Sequence, residues 1–297
     1  MNLVVGASGT VGGMIVARLR ASGEQVRALV RNADAGARAR ELGAEVVEGD
    51  LKDADSLRRA CAGATRVITT ASSVKRMPPD SLDSVDRAGN RNLIDAARDA
   101  GVEQFLFVSV SDASPSSPMP LFAAKGETEV YLRASGVPYT ILAPHAFMED
   151  WIGLVVATPL QQGLPLTLIG GRRKHSFISN VDVAAFATAV LGRPAAINRR
   201  LLLGGPSAWS WTELVERLER RLGRTLTVRF AAPGGPLPGL PMPLGQVIGI
   251  MLAGLESADV VIEMNPLYEE LGITPKTVDA VLDDLAPLFL APSVPAA

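Results

Sequence analysis

The chain has 297 residues, 47% of them hydrophobic, and a formal net charge of −2. That length and apolar content can bury a large core in one elaborated domain or two. The near-neutral balance gives no general attraction to nucleic acid or an anionic membrane. A single cysteine, Cys61, excludes an intrachain disulfide framework.

In chain order, Leu3-Val4-Val5 reads as a short strand running into glycines at positions 6, 9 and 12. A helical pattern follows (Val11, Ile15, Val16, Leu19), closed by Ala21-Ser22-Gly23, and then a second strand, Val26–Val30, ends on Arg31. A strand-to-helix turn favours a residue without Cβ at Gly6. Gly9 would admit a pyrophosphate close to the backbone, and Gly12 would let helix and sheet pack tightly. The unpartnered N–H groups opening such a helix, and its dipole, suit an anion. These features predict a dinucleotide-binding βαβ unit. An acidic residue about 20 residues past the glycines marks NAD-binding versions, where it bonds the ribose 2′-hydroxyl. Arg31 stands there instead, and its guanidinium suits a 2′-phosphate, so NADP is favoured over NAD.

Strands and helices continue to alternate, which predicts a parallel sheet. Glu45–Glu48 is a third strand ending in Gly49-Asp50-Leu51, and Asp53–Ala60 a helix for which Asp50 is a candidate N-cap. Arg66–Thr70 is a fourth strand, followed by a polar Ser72-Ser73 turn. Ser84–Ala100 reads as a helix stopped by Gly101, Gln104–Ser109 as a fifth strand, Ala123–Ala134 as a helix, and Tyr139–Leu142 as a sixth strand ending at Pro144. Ser176–Ile178 and Leu201–Leu203 look like short strands around a helix from Val181 to Leu191. Ala232–Leu244, rich in proline and glycine, is expected to be a loop. Val247–Leu255 is a short apolar helix suited to covering a pocket, and Thr274-Pro275 is expected to open the last helix, to Leu285. Ala291–Ala297 is expected to be a loose tail. No apolar run reaches the roughly 18 residues needed to span a bilayer, and the chain begins directly in its first strand; the expectation is a cytoplasmic protein with no stable membrane insertion.

These residues together resemble the NmrA-like group of atypical short-chain dehydrogenases/reductases. The resemblance rests on Gly6-x-x-Gly9-x-x-Gly12, Val26–Arg31, Gly49-Asp50-Leu51, Leu93–Ala97 with Ala100-Gly101-Val102, Lys125–Glu129, Ser135–Leu142 and Asn180–Ala184. Gly204–Leu214 is also similar to a branch containing photosystem-assembly factors. The implied fold is α/β: a Rossmann-type doubly wound parallel sheet with a smaller C-terminal α/β substrate-binding region. The nucleotide-binding domain would be 1–150 with returning segments near 176–204, and 151–297 would be mainly substrate-binding, with a pocket built from Trp151–Gly171 and Pro233–Met264.

The resemblance also implies residue roles. Gly6, Ser8, Gly9, Thr10 and Val11 would line the pyrophosphate, Arg31 the 2′-phosphate, and Asp50 and Leu51 the adenine. Thr70, Ala71 and Ser72 would run beside the ribose and nicotinamide, and Pro144 to Phe147 would close over the nicotinamide. Typical short-chain reductases use Tyr-x-x-x-Lys, the lysine lowering the tyrosine pKa for proton donation. Lys125 is present, but Leu121 stands where the tyrosine would be. Lys125 therefore becomes the candidate proton donor or electrostatic stabiliser, with a surface pair to Glu129 as the alternative. Ser109, with Ser111, is a candidate substrate contact, and His145 a candidate replacement acid. His175, beside Arg172, Arg173 and Lys174, reads as part of a solvated basic turn. Two histidines and one cysteine, far apart in sequence, support no metal site. The expected activity is NADPH-dependent reduction of a carbonyl, enone or quinone on an apolar small molecule, without nucleic acid. The alternative is a non-enzymatic NADP-binding regulator, redox sensor or assembly factor. Oligomeric state is not legible.

Overall fold

The computed structural model describes residues 1–74 and 78–290. Among them nine strands form: β1 (Asn2–Val5), β2 (Val26–Val30), β3 (Glu45–Glu48), β4 (Arg66–Thr69), β5 (Gln104–Val108), β6 (Tyr139–Pro144), β7 (Leu166–Leu168), β8 (Arg199–Leu203) and β9 (Val228–Phe230). Seven make a single sheet in the order β3-β2-β1-β4-β5-β6-β8, every neighbouring pair parallel. The strand order reverses between β1 and β4, the switch point where open α/β sheets bind ligands beyond the carboxyl ends of their strands. This is the doubly wound α/β arrangement expected.

The chain divides into two compact units, Met1–Pro144 with Asn180–Leu203, and His145–Ser179 with the chain from Gly204 onward. The division falls at Pro144 rather than residue 150, and the returning segment begins at Asn180 rather than near 176. In the first unit, β1 and β5 are buried at every position, as a sheet covered on both faces requires. Helices Thr10–Ala21 and Asn180–Ala189 pack together, while Ala54–Cys61, Leu82–Asp99 and Pro120–Ala134 form a second packed group. That second group closes a core of Leu3, Leu57, Leu93, Ile94, Phe105 and Leu132.

Two local expectations are corrected in this unit. The helix after β3 is capped by Asp53, whose carboxylate accepts from the N–H groups of Asp55 (3.0 Å) and Ser56 (3.2 Å). Asp50 instead accepts from Lys52 N (2.8 Å). The helix expected over Ser84–Ala100 begins at Leu82, with a Ser81–Ser84 capping box, and is π-helical as far as Gly89 before Asn90–Asp99 becomes regular. A π turn carries one more residue than an α turn, so apolar periodicity alone misplaces its start.

The second unit holds β7 and β9 as a two-stranded parallel sheet. Helices Met148–Ile152, Trp211–Leu222, Leu244–Leu255, Asn265–Leu271 and Val278–Leu290 accompany it. Trp151, Phe177, Trp211, Leu218, Val281 and Leu282 are buried in its core. Ser176–Ile178 is not a strand: His175 bridges Trp209 and Val260 while Ile178 bridges Phe147, so no single partner extends into a ladder. Residues 232–243 form the expected loop, and the apolar helix after it buries Ile248 and Leu252. The last helix starts at Val278 rather than Thr274, with Thr277 Oγ1 accepting from Ala280 N (3.2 Å). The expected tail at Ala291–Ala297 lies outside the described residues. Among the described residues, no helix is long and apolar enough to cross a membrane.

Candidate functional site

At the switch point the first turn is built for close approach. Gly6 has φ +86°, a region that disfavours any side chain, and a Cβ there would lie 2.6 Å from Thr70 Oγ1. A Cβ on Gly12 would lie 2.1 Å from the Gly6 carbonyl oxygen. Gly9 N donates to Gly6 O (2.9 Å), and Gly9 then serves as N-cap of Thr10–Ala21 with no side-chain cap and no acidic residue in the first turn. The opening N–H groups of this helix therefore face outward, their partial positive charge uncompensated.

Two open-sided clefts flank this turn. One, of about 410 Å³, is lined by Gly6, Ser8, Arg31, Asp50, Leu51 and Ala71 among others. The second, of about 770 Å³, is lined by Ser8, Gly9 and Thr10, with Arg38 across from them. Arg31 is half exposed and its Nη1 donates to Asp80 Oδ2 (2.9 Å). The nearly buried Asp80 carboxylate also takes Lys52 Nζ, which lies 3.2 Å from Asp50 Oδ2. Asp80 and Asp50 raise the Lys52 pKa, chiefly through the hydrogen bond to Asp80. Sequence reading missed Lys52, Asp80 and Arg38. Lys52 adjoins a motif already noted, whereas only tertiary folding brings Asp80 to Arg31.

Lys125 is only 4% exposed. Its Nζ donates to the carbonyls of Ala71 (3.2 Å) and Val108 (3.4 Å), which follow β4 and end β5, and lies 3.5 Å from Asp86 Oδ1. It also sits 4.9 Å from the centre of the Phe107 ring. Burial pushes its pKa down, and the Asp86 charge opposes that shift. The surface pair with Glu129 does not form. Glu129 is itself buried and accepts from Ser109 Oγ (2.6 Å), Arg133 Nη2 (3.0 Å) and Arg200 Nε (3.0 Å). Arg200 Nη2 donates in turn to the carbonyls of Val110 (2.9 Å) and Ser111 (2.8 Å). The Ser109 hydroxyl thus anchors the chain leaving β5 and is already engaged.

Pro144 closes β6 in the first unit, where its carbonyl accepts from Ser111 N (2.9 Å). His145 and Phe147 belong to the second unit. His175 is 1% exposed rather than solvated. Its Nδ1 lies 3.1 Å from His145 Nε2, and the two rings stack at 5.3 Å. Folding therefore joins the two histidines that sequence spacing separates. Even so, no group of three or more potential metal ligands occurs among the described residues.

The family described as NAD(P)H-binding matches residues 6–194. The chain belongs to this family, among the NmrA-like atypical short-chain dehydrogenases/reductases. An NAD(P)H azoreductase of Xenophilus azovorans is 33% identical over 235 residues, 78% of this chain and 77% of that one. The photosystem II assembly factor Ycf39 of Cyanophora paradoxa is 33% identical over 226 residues, covering 76% and 70%. The solved NADPH-dependent quinone oxidoreductase QOR2 from Escherichia coli, complexed with NADPH, matches with a TM-score of 0.83 at 25% identity over 97% of this chain and 100% of that one.

The residues present fit the NAD(P)H expected of this family. A glycine cradle that any Cβ at position 12 would fill, an uncapped helix N-terminus and a cation at the end of β2 are the three features a dinucleotide phosphate needs. Gly6, Ser8, Gly9, Thr10, Arg31, Asp50, Leu51 and Ala71 line the two clefts, while Val11, Thr70 and Ser72 are not among the residues found lining them. Thr70 instead backs the turn, its Oγ1 lying 3.5 Å from Gly6 O.

Proposed function

We infer that the chain is an NADPH-dependent reductase of a carbonyl, enone or quinone group on an apolar small molecule. The observation that carries this reading is Lys125: a nearly buried ammonium at the carboxyl ends of β4 and β5, bonded to a residue that lines the dinucleotide cleft. Two relatives named for reductive chemistry, the azoreductase and the quinone oxidoreductase, support it.

The backbone from Gly6 to Val11 would hold the pyrophosphate, and Arg31 the 2′-phosphate, with Asp50 and Leu51 against the adenine. Arg31 can leave Asp80 because its own side chain is half exposed and Lys52 remains on the Asp80 carboxylate. The bound cofactor supplies the hydride. Lys125 then stabilises the oxyanion that develops on the substrate and provides the proton. Its present contacts are all 3.2 Å or longer, weaker than a charged donor normally makes. A better acceptor can therefore redirect them, as catalytic hydrogen bonds tighten only when the complex forms. No tyrosine is needed, because the ammonium combines both tasks in a site of low polarity. His145 is left out of the proton path, since its Nε2 already faces His175.

A second reading, an NADP-binding assembly factor or sensor, is favoured by the Ycf39 relative. One experiment separates the two. NADPH and NADH are titrated against the wild type, Arg31→Ala and Lys125→Ala, and NADPH oxidation is followed on a panel of quinones, enones and azo dyes. The reductase reading expects turnover in the wild type and a loss of kcat of about 100-fold or more in Lys125→Ala, as for removal of one charge-stabilising donor. Arg31→Ala should erase the preference for NADPH. Absence of turnover across the panel, with NADPH binding intact, would leave the assembly or sensor reading.

A further inference from the structure

Asp86 is fully buried, on the π-helical stretch that opens the helix before β5. A carboxylate without water must be compensated by donors or a cation. One oxygen, Oδ2, has two donors: Ser73 N at 2.9 Å and Ser73 Oγ at 2.7 Å. The other oxygen, Oδ1, makes no hydrogen bond and faces Lys125 Nζ at 3.5 Å. Side chains also hold the backbone around it, since Thr128 Oγ1 and Asn90 Nδ2 both donate to Asp86 O, at 2.9 and 3.1 Å. The carboxyl group is thus fixed in place, with one oxygen uncommitted and directed at the lysine.

Lys125 has other neighbours, but they do not supply this charge. Val108 and Ala71 offer carbonyls and Phe107 a ring face. On the helix of Lys125 itself, Glu127 pairs with Arg87 (3.0 Å) and Arg91 (3.7 Å), and Glu129 with Arg133 and Arg200. Each acidic neighbour on that helix is matched by cations of its own.

Resting on the reading of Lys125 as the proton donor, we propose that Asp86 is the positioning residue that keeps Lys125 protonated and aimed in its buried site, with Ser73 clamping the carboxylate. Ser73 follows the fourth strand, close to the cofactor-facing segment, so the clamp ties the lysine's charge to that segment's conformation. The device explains how a lysine that burial would neutralise can still carry a proton to give.

The test reads the lysine directly. The chain's lysines are Lys52, Lys75, Lys125, Lys174 and Lys276, few enough to assign after 13Cε labelling. Their pH titrations are followed by NMR in the wild type and in Asp86→Asn. Asparagine keeps an oxygen for Ser73 and turns its NH2 toward the ammonium, so the Lys125 midpoint should fall by about one unit or more. The alkaline limb of kcat with NADPH and a quinone should move down with it, while thermal unfolding confirms the fold. A Lys125 midpoint that does not move overturns the proposal, as does a Lys125 resonance that titrates in neither protein. Should Asp86→Asn not fold, the same lysine titration is run on Asp86→Ser, which also removes the carboxylate, and an unmoved Lys125 midpoint again overturns the pairing. Full turnover in Lys125→Met would remove the proton-donor reading alone, because the titrations still decide whether Asp86 governs the lysine.

Discussion

Gly12→Ala tests the cradle at its tightest point. The added methyl would lie 2.1 Å from Gly6 O and 2.7 Å from Gly6 C, with Thr70 Oγ1 at 3.0 Å. The closest two of these are backbone atoms of a strand-to-helix turn held by the Gly9 N to Gly6 O hydrogen bond, so no side chain can swing aside. Relief requires the helix to move by about 1 Å, and overpacking of this kind costs about 1–3 kcal/mol. Alanine regains about 1 kcal/mol of helix propensity over glycine. The expected net loss is therefore at most about 2 kcal/mol, or at most about 8 °C in Tm for a domain of this size. The displaced turn is also the proposed anion site, so the NADPH dissociation constant should rise about tenfold or more, equivalent to about 1.4 kcal/mol. Gly13→Ala is the control, because it gains the same propensity while its Cβ would lie 3.3 Å from Ala7 O. Differential scanning fluorimetry and fluorescence titration with NADPH read both variants. If Gly12→Ala melts with the wild type and binds NADPH unchanged, or if Gly13→Ala is equally damaged, the close-approach account of this turn is wrong.

Two further substitutions probe charge networks in the two units. Glu129→Gln weakens the acceptor for Ser109, Arg133 and Arg200 together, and should cost about 1–3 kcal/mol in urea unfolding as a buried charge-assisted network is broken; a loss below about 0.5 kcal/mol would show the network to be ornamental. In the second unit, Arg217 and Arg221 hold the Asp279 carboxyl down at about 2. A group with a depressed pKa stabilises the fold above its unfolded value, 3.8, and that contribution is lost as pH falls through about 2. The carboxylate is 37% exposed, so solvent screening limits its worth to about 1 kcal/mol. Asp279→Asn should accordingly be less stable than the wild type by about that amount at pH 7, with the gap closing between pH 4 and pH 2, and a gap that widens on acidification would contradict the ion-pair assignment.

What sequence could and could not disclose follows the range of the interactions concerned. The alternation of strands and helices, the Gly6 turn and Arg31 at the end of β2 were legible because each depends on residues near one another along the chain. The π-helical turn at Leu82–Gly89 was not, because its extra residue leaves the apolar pattern beyond Asn90 intact. Ser176–Ile178 carries a strand-like run, yet its neighbours Trp209, Val260 and Phe147 come from three separate segments, and periodicity cannot see how partners divide. His175 was misread for a similar reason: the flanking Arg172, Arg173 and Lys174 describe the local surface, while the His145 ring that meets it lies 30 positions away.

The two ends of the site differ in what enforces them. The turn proposed to take the phosphates is backbone, and at Gly6 and Gly12 a side chain would collide with Thr70 or with the Gly6 carbonyl, so it can be lost only at a cost to folding. On the proposed reading, the reacting end would depend on individual side chains, Lys125 with Asp86 and the Ser109–Glu129–Arg200 chain behind β5, and any of these can change while the sheet stands. A fold under these constraints retains its dinucleotide more readily than its reaction. That asymmetry accommodates relatives as differently named as an azoreductase and an assembly factor at the same 33% identity. The glycines therefore cannot discriminate between the two functional readings of this chain, whereas turnover with and without the Lys125 side chain can.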